Sequence, residues 1–316
     1  MSLAAPFPED DEPVPPKGPP TPPKFETRFA RFTPEEYFAE PCSVPALSAS
    51  IAQELDSRSP LHAWARHPKL GGIPRKPTKA LDDGSLSHAL LLGEGKEIVV
   101  VDAADWRTNA AKAEREAARK AGQIAVLAED YTAAKAVADK LRQRFADVGI
   151  VLDGESEMSA LWTETARNGA KVQCRSMMDH IKLPVVYDIK SIRSADLNTC
   201  QRHVESYGYS IQRAAYVRAV ERIRPDLAGR IDFVFVFYEL TAPFAVTPVR
   251  LSGAFREMGS RRWLRAVERW EHCLRTNTWP AYTDEIVELE PSAWALARDM
   301  DKQLAAASGE EEEMQS

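Results

Sequence analysis

Three segments of this chain, residues 156–163, 171–179 and 183–190, alternate apolar and polar side chains and are separated by turn-compatible residues such as Asn168-Gly169. The pattern predicts a meander of three consecutive strands. Each strand carries one carboxylate: Glu157, Asp179 and Asp188. Adjacent strands lie about 4.8 Å apart, so three carboxylates at matching heights can converge on one cation. On the third strand the period of two puts Asp188 and Lys190 on one face, a metal ligand beside a cation able to activate water. Phosphodiester cleavage needs an oxygen-ligated divalent ion to hold the phosphate and a neighbouring group to orient or deprotonate water. An Asp-x-Lys by itself is more often a surface charge pair; the two further strand carboxylates turn it into the outline of a hydrolase site.

Helical signals flank the meander. Thr33-Pro34-Glu35-Glu36 reads as a capping box with proline at the first helical position, opening a short helix through Phe38. Further helical pieces run from Leu47 to Leu92 and end in Gly84-Ser85-Leu86-Ser87-His88, where an imidazole sits inside an apolar helical run. Such a histidine is by itself more often a core residue than a ligand. A strand is predicted over 97–101, then a helical stretch over 108–146 broken at Gly122. After the meander come helices over 194–205 and 209–223, strands over 231–240 and 245–251, and a long helix over 253–275. This order gives an α/β (α+β) class, a central mixed sheet flanked by helices. Residues 1–24, rich in proline, are expected to be disordered or polyproline-like. Residues 25–307 are expected to form one domain, and the acidic end, 308–316, a loose tail.

With 44% hydrophobic residues the chain can bury a substantial core. No run is as long as a membrane span and the start is acidic and proline-rich, so a soluble cytoplasmic protein is expected. Cys42, Cys174, Cys200 and Cys273 form no close pair, which argues for reduced thiols and against a zinc ribbon or a disulfide framework. The net charge of −6 weighs weakly against nucleic acid, but charge distribution matters more. Arg213, Arg218, Arg222 and Arg224 form one basic series and Arg261, Arg262, Arg265 and Arg269 another; each is either a solvated helix face or a phosphate-binding cluster.

An acidic residue, then Asp179, then Asp188-Ile189-Lys190 on successive strands resembles the PD-(D/E)xK nuclease superfamily. More narrowly, the chain resembles the C-terminal nuclease domain of exonuclease VIII, the RecE-type recombination exonucleases. The likeness rests on Gly84 through His88, Arg107-Thr108-Asn109-Ala110-Ala111-Lys112, Glu157 through Trp162, Cys174-Arg175 ahead of Asp179, Asp188-Ile189-Lys190-Ser191, and Gln212 with Tyr216, over residues 33–282. It departs from the family pattern at Met177-Met178, where relatives often carry Arg-Pro or a similar basic residue two places before the aspartate.

The resemblance implies an Mg²⁺-dependent exodeoxyribonuclease, with Mn²⁺ able to substitute, that degrades duplex DNA from the 5′ end and leaves 3′ overhangs for recombination by single-strand annealing. It implies Asp179, Asp188 and the Ile189 carbonyl as metal ligands, His88 as a further ligand from the preceding helix, and Lys190 as the group that orients water or stabilises developing charge. Glu157 would be a ligand, or would orient a hydrated ion or a neighbouring cation. Gln212 and Tyr216, four apart and so on one helix face, match an element packed beside the metals. Arg107 and Lys112 would contact DNA, and Arg175 either phosphate or the carboxylates. Ring assembly as a trimer or tetramer, a single-strand annealing partner and a bacterial or phage source are likewise implied. The alternatives are another nuclease of the superfamily, such as a Cas4-like enzyme, and a non-catalytic DNA-binding relative. The scattered cysteines count against an iron–sulfur cluster.

Overall fold

The computed structural model describes residues 25–73 and 79–314. The chain divides into two compact units, Met1–Trp279 and Pro280–Ser316. In the first unit, β1 (Arg28–Ala30) precedes α1 (Pro34–Phe38), α2 (Ala49–Ser57), α3 (Pro60–Arg66) and α4 (Lys79–Leu92). Then come β2 (Ile98–Val101), α5 (Asn109–Lys120), β3 (Ile124–Leu127) and α6 (Ala128–Asp147). The meander is β4 (Glu155–Thr165), β5 (Lys171–Lys182) and β6 (Val185–Ser191), followed by α7 (Leu197–Ser206), α8 (Tyr209–Ile223), β7 (Asp232–Tyr238), β8 (Val246–Val249) and α9 (Gly253–Thr276). The second unit carries α10 (Ala293–Met314).

The main sheet has six strands in the order β1-β4-β5-β6-β7-β8. All neighbours run antiparallel except β6 and β7, which are parallel and joined through α7 and α8. β7 shows why its sequence is apolar without interruption. Phe233, Phe235 and Phe237 pack with Ile211 and Ala215 of α8 and Trp263 and Trp270 of α9, while Val234, Val236 and Tyr238 face Leu91 of α4 and Leu141 and Phe145 of α6. Both faces of the sheet centre are therefore covered by helices. Helices α8 and α9 cross so closely that a Cβ on Gly259 would lie 2.1 Å from the Ser210 carbonyl oxygen, a position only glycine can fill.

The local signals act as expected at several helix starts. Thr33 and Glu36 exchange both hydrogen bonds of a capping box with Pro34 at the first position, and Thr108 and Asp196 cap α5 and α7. Three expectations change. The helical stretch over 108–146 is interrupted by β3, which pairs in parallel with β2 from Ile98↔Ile124 to Val101↔Leu127. Four residues are too few for periodicity to separate strand from helix, and the pairing to β2 decides the conformation. The acidic end is helical through Met314 rather than loose, and the first unit ends at Trp279 rather than at residue 307. The expected leader, 1–24, lies outside the described residues.

The first arginine series ties α8 to the sheet, and the second ties α9 to α2. Glu164 of β4, buried, accepts two hydrogen bonds from Arg218 at 2.6 and 2.7 Å and the indole N–H of Trp162 and of Trp263 at 3.2 Å each, with Arg222 at 3.8 Å. Asp56 of α2 takes Arg262 and Arg265 of α9, and Arg224 pairs with Asp226. Most of the arginine charge is thus neutralised by carboxylates within the fold. Cys42, Cys174, Cys200 and Cys273 are free and buried. Among the described residues no helix is long and apolar enough to cross a membrane.

Candidate active site

The site forms where two strands part. The β5/β6 ladder covers Lys182↔Val185, Ile181↔Val186 and His180↔Tyr187 and stops there, one step short of setting Asp179 opposite Asp188. Beyond that point β6 continues alongside β7 through Ser191, and the Asp179 carboxylate takes over from the ladder by accepting the Ile189 N–H at 2.7 Å. The fork holds two acids beside each other without pairing their backbones.

Asp188 is fully buried, and its Oδ1 lies 2.5 Å from the Lys190 ammonium, as the shared strand face requires. Its Oδ2 accepts the Gln212 side-chain N–H at 2.5 Å. Gln212 lies in the first turns of α8, and Tyr216, one turn later, is buried and lines the same cleft. Asp188 Oδ1 meets no hydrogen-bond donor in good alignment and is matched instead by the Lys190 ammonium beside it.

Helix α4 brings the imidazole. At Gly84 it passes the end of β6, where a Cβ would make an ordinary contact with Ser191 Oγ at 3.4 Å, and His88 follows one turn later. His88 Nδ1 lies 3.2 Å from Glu157 Oε1 and Nε2 lies 3.3 Å from Asp179 Oδ2. His88, Glu157 and Asp179 can each offer a ligand atom within 4.8 Å of the other two. Glu157 faces Asp179 across the β4/β5 register but drops out of the ladder with a φ of +50°, a conformation that costs a non-glycine residue on the order of 1 kcal/mol or more. That strain at an acid aimed into the cleft marks Glu157 as held by its surroundings.

Charge in the site is tightly coupled. Burial pushes the Asp188 carboxyl up and Asp179 adds to the effect, while Lys190 opposes it. Burial would also raise Asp179, but His88 and Lys190 hold it well below the usual carboxylate range. Burial works against charge on His88, yet Asp179 and Glu157 on either side raise it to about 10. An imidazolium thus stands between two carboxylates where a divalent ion would otherwise supply positive charge. Lys190 is held charged by Asp188 and Asp179 against the cost of burial, so it stands in the site as a cation and hydrogen-bond donor rather than as a base. The Asp179 and Glu157 carboxylates with the His88 imidazole form an oxygen-rich donor set suited to a hard divalent metal. Asp188 lies outside the grouping of His88, Glu157 and Asp179, held instead by Gln212 and Lys190.

The acids open onto a cleft of about 620 Å³ lined by Ser85, His88, Lys96, Glu157, Asp179, Ile189, Lys190, Ser191, Tyr207, Tyr209, Gln212 and Tyr216. Sequence patterning singled out neither Lys96 nor the two tyrosines; a lysine after a glycine and tyrosines at a helix junction carry no signature. The predicted DNA contacts fare differently. Arg107 is exposed and pairs with Asp105, Lys112 is exposed on α5, and neither lines the cleft. Arg175 is not a surface contact at all. It is buried, donating to Glu40 Oε2 and to the Tyr37 carbonyl at 2.8 Å each, with its guanidinium 4.4 Å from the Tyr37 ring centroid. It stands on β5 four residues before Asp179 and is spent on Glu40 and Tyr37, tying α1 to the sheet.

A mixed sheet forked at an Asp and an Asp-x-Lys, with a glutamine from a following helix on the second aspartate, is the PD-(D/E)xK nuclease arrangement. Residues 48–290 match the family described as a PDDEXK-like domain of unknown function (DUF3799), and the chain belongs to that family. A crystal structure from Eubacterium rectale, described as a "Putative exonuclease", superposes with a TM-score of 0.55 at 14% identity, covering 84% of this chain and 98% of that one. At that identity the likeness shows the fold. The solved structure of SSO0001 aligns at 16% identity over 63% of this chain and 95% of its own, with a TM-score of 0.25, and carries no argument. No curated protein matches the chain.

Proposed function

We propose that the chain is an Mg²⁺-dependent exodeoxyribonuclease that digests duplex DNA from the 5′ end and leaves 3′ single strands for recombination by single-strand annealing. The observation that carries the hydrolytic part is the fork: Asp179, Asp188 and Lys190 meet at the point where β5 and β6 separate, with Gln212 on Asp188. The DNA specificity, the polarity and the recombination role rest on the resemblance to exonuclease VIII.

Asp179, Glu157 and His88 would hold the metal, Mg²⁺ or Mn²⁺, with Asp188 and the Ile189 carbonyl completing the ligand set. When bound, the ion supplies charge neutralisation on the phosphate and a more acidic water. Gln212 fixes the Asp188 carboxylate in one orientation, with Oδ1 turned to Lys190. Lys190, charged and held beside Asp188, orients the attacking water and stabilises negative charge as it builds on the phosphate oxygens. Tyr216 remains a neutral phenol, because burial raises it well above its ordinary value. Assembly into a ring of three or four copies and docking of an annealing protein belong to the same proposal.

Linear duplex labelled at either end, incubated with and without Mg²⁺, tests it. Mg²⁺-dependent release of the 5′ label first is the expected result. Intact DNA with Mg²⁺ present overturns the nuclease reading, and release from the 3′ end overturns the polarity.

A further inference from the structure

Next to Lys190 the cleft wall carries a row of stacked rings that the hydrolytic residues do not account for. Tyr209, at the start of α8, lies with its ring 5.4 Å from Phe235 at 20° and 5.9 Å from Tyr207 at 27°. Phe235 is buried in register beside Asp188, and the Lys190 ammonium sits 5.5 Å from the centre of the Tyr209 ring. The row therefore starts in the core at the level of the acids, passes the lysine, and ends at Tyr207, which is 52% exposed.

Tyr207 and Tyr209 are flanking residues of Gly208, whose φ of +67° turns the chain from α7 into α8 and sets the two rings nearly parallel. His203 supports Tyr207 from α7 at 5.0 Å. Both tyrosines line the same cleft as Asp179 and Lys190. A half-exposed tyrosine stacked on a second ring that itself carries the Lys190 ammonium is a platform for another flat π-system. Inside a duplex both faces of a base are covered by its neighbours, so only an unpaired or terminal base can use such a platform.

We propose that Tyr207 and Tyr209 form a base-stacking subsite that takes an unpaired nucleobase next to the scissile phosphate, so that the strand being cut enters the cleft single-stranded at its end. This rests on the nuclease reading above and adds the form of the substrate at that site. Stacking fixes the position of the base, and Lys190, packed on the same row, then meets the adjoining phosphate.

The test uses DNA with 2-aminopurine as the terminal base, on an unpaired overhang or on a blunt end, with Ca²⁺ replacing Mg²⁺ so that binding is read apart from turnover. In the wild-type protein the overhang probe binds with quenched emission. Tyr207→Ala weakens overhang binding by roughly tenfold to a hundredfold and relieves the quenching, the effect of losing one base–aromatic stack. Tyr207→Phe restores both, because the ring and not the hydroxyl does the stacking. Tyr207→Ala binding and quenching the overhang probe as the wild type does overturns the subsite. A wild-type protein that cleaves DNA with Mg²⁺ yet shows no quenching overturns the subsite alone; one that neither binds nor cleaves DNA overturns the nuclease reading and the subsite with it.

Discussion

Gln212 is the most informative residue to perturb, because in the proposed function it acts through the acid it bonds, Asp188. Its side-chain N–H donates to Oδ2 of a fully buried carboxylate at 2.5 Å. A hydrogen bond to a charged group contributes about 1.5–3 kcal/mol, and one pKa unit corresponds to about 1.4 kcal/mol. Gln212→Ala should therefore raise the Asp188 carboxyl by roughly one to two units above a value that burial already pushes up. The sign is fixed: the donor favours the anion, so its loss favours the protonated acid, and metal binding must then displace a proton. At neutral pH the affinity for Mg²⁺ or Mn²⁺ should fall roughly tenfold to a hundredfold, and the deficit should shrink as pH rises through the new value. Calorimetric metal titration at a series of pH values measures this, with a thermal melt to confirm folding. An unchanged metal affinity, or a deficit that does not close with rising pH, refutes the role given to Gln212.

Lys190→Ala should lower turnover by about 10²–10³ while sparing most DNA binding, and Asp188→Ala should remove metal binding and cleavage together; a variant pair that both turn over at the wild-type rate places the chemistry elsewhere. Arg175→Met should cost about 3–5 kcal/mol in unfolding free energy, because it leaves buried Glu40 without its guanidinium, and should leave the DNA affinity of the folded protein unchanged. Loss of DNA affinity without loss of stability would restore Arg175 to the DNA surface. Glu164 resists the upward push of burial through Arg218 and two indoles, and Glu40 does so through His67 and Arg175, so both stay below the ordinary carboxylate range. Their stabilisation is present above that range and is lost as pH falls through the depressed values, so Glu164→Gln should flatten the acid limb of a plot of Tm against pH. Superimposable acid limbs for the two proteins would count against it.

Much of this was legible in the chain because it is local. The capping box at Thr33, the alternation over 156–190 and the continuous apolar run of β7 each follow from a handful of neighbouring residues. The shared face of Asp188 and Lys190 follows from the strand period alone. β3 was hidden because four apolar residues between alanine-rich helices carry no period, and its partner, β2, lies across a whole helix in sequence. Arg175 was misjudged because its charge is visible in the sequence, while its partner, Glu40, is distant along the chain.

The sequence by itself determined the acids, the lysine, the glutamine and the strands and helices that carry them, since side-chain identity and backbone period need no tertiary information. Only the tertiary structure decided that β5 and β6 part after His180↔Tyr187, so that Asp179 bonds the Ile189 N–H instead of facing Asp188 across a ladder. It alone placed His88 between Glu157 and Asp179, stacked Tyr207 and Tyr209 along the cleft wall, and spent most of the arginine charge inside the fold. These are contacts between segments tens of residues apart, set by packing, burial and charge, which no local pattern encodes.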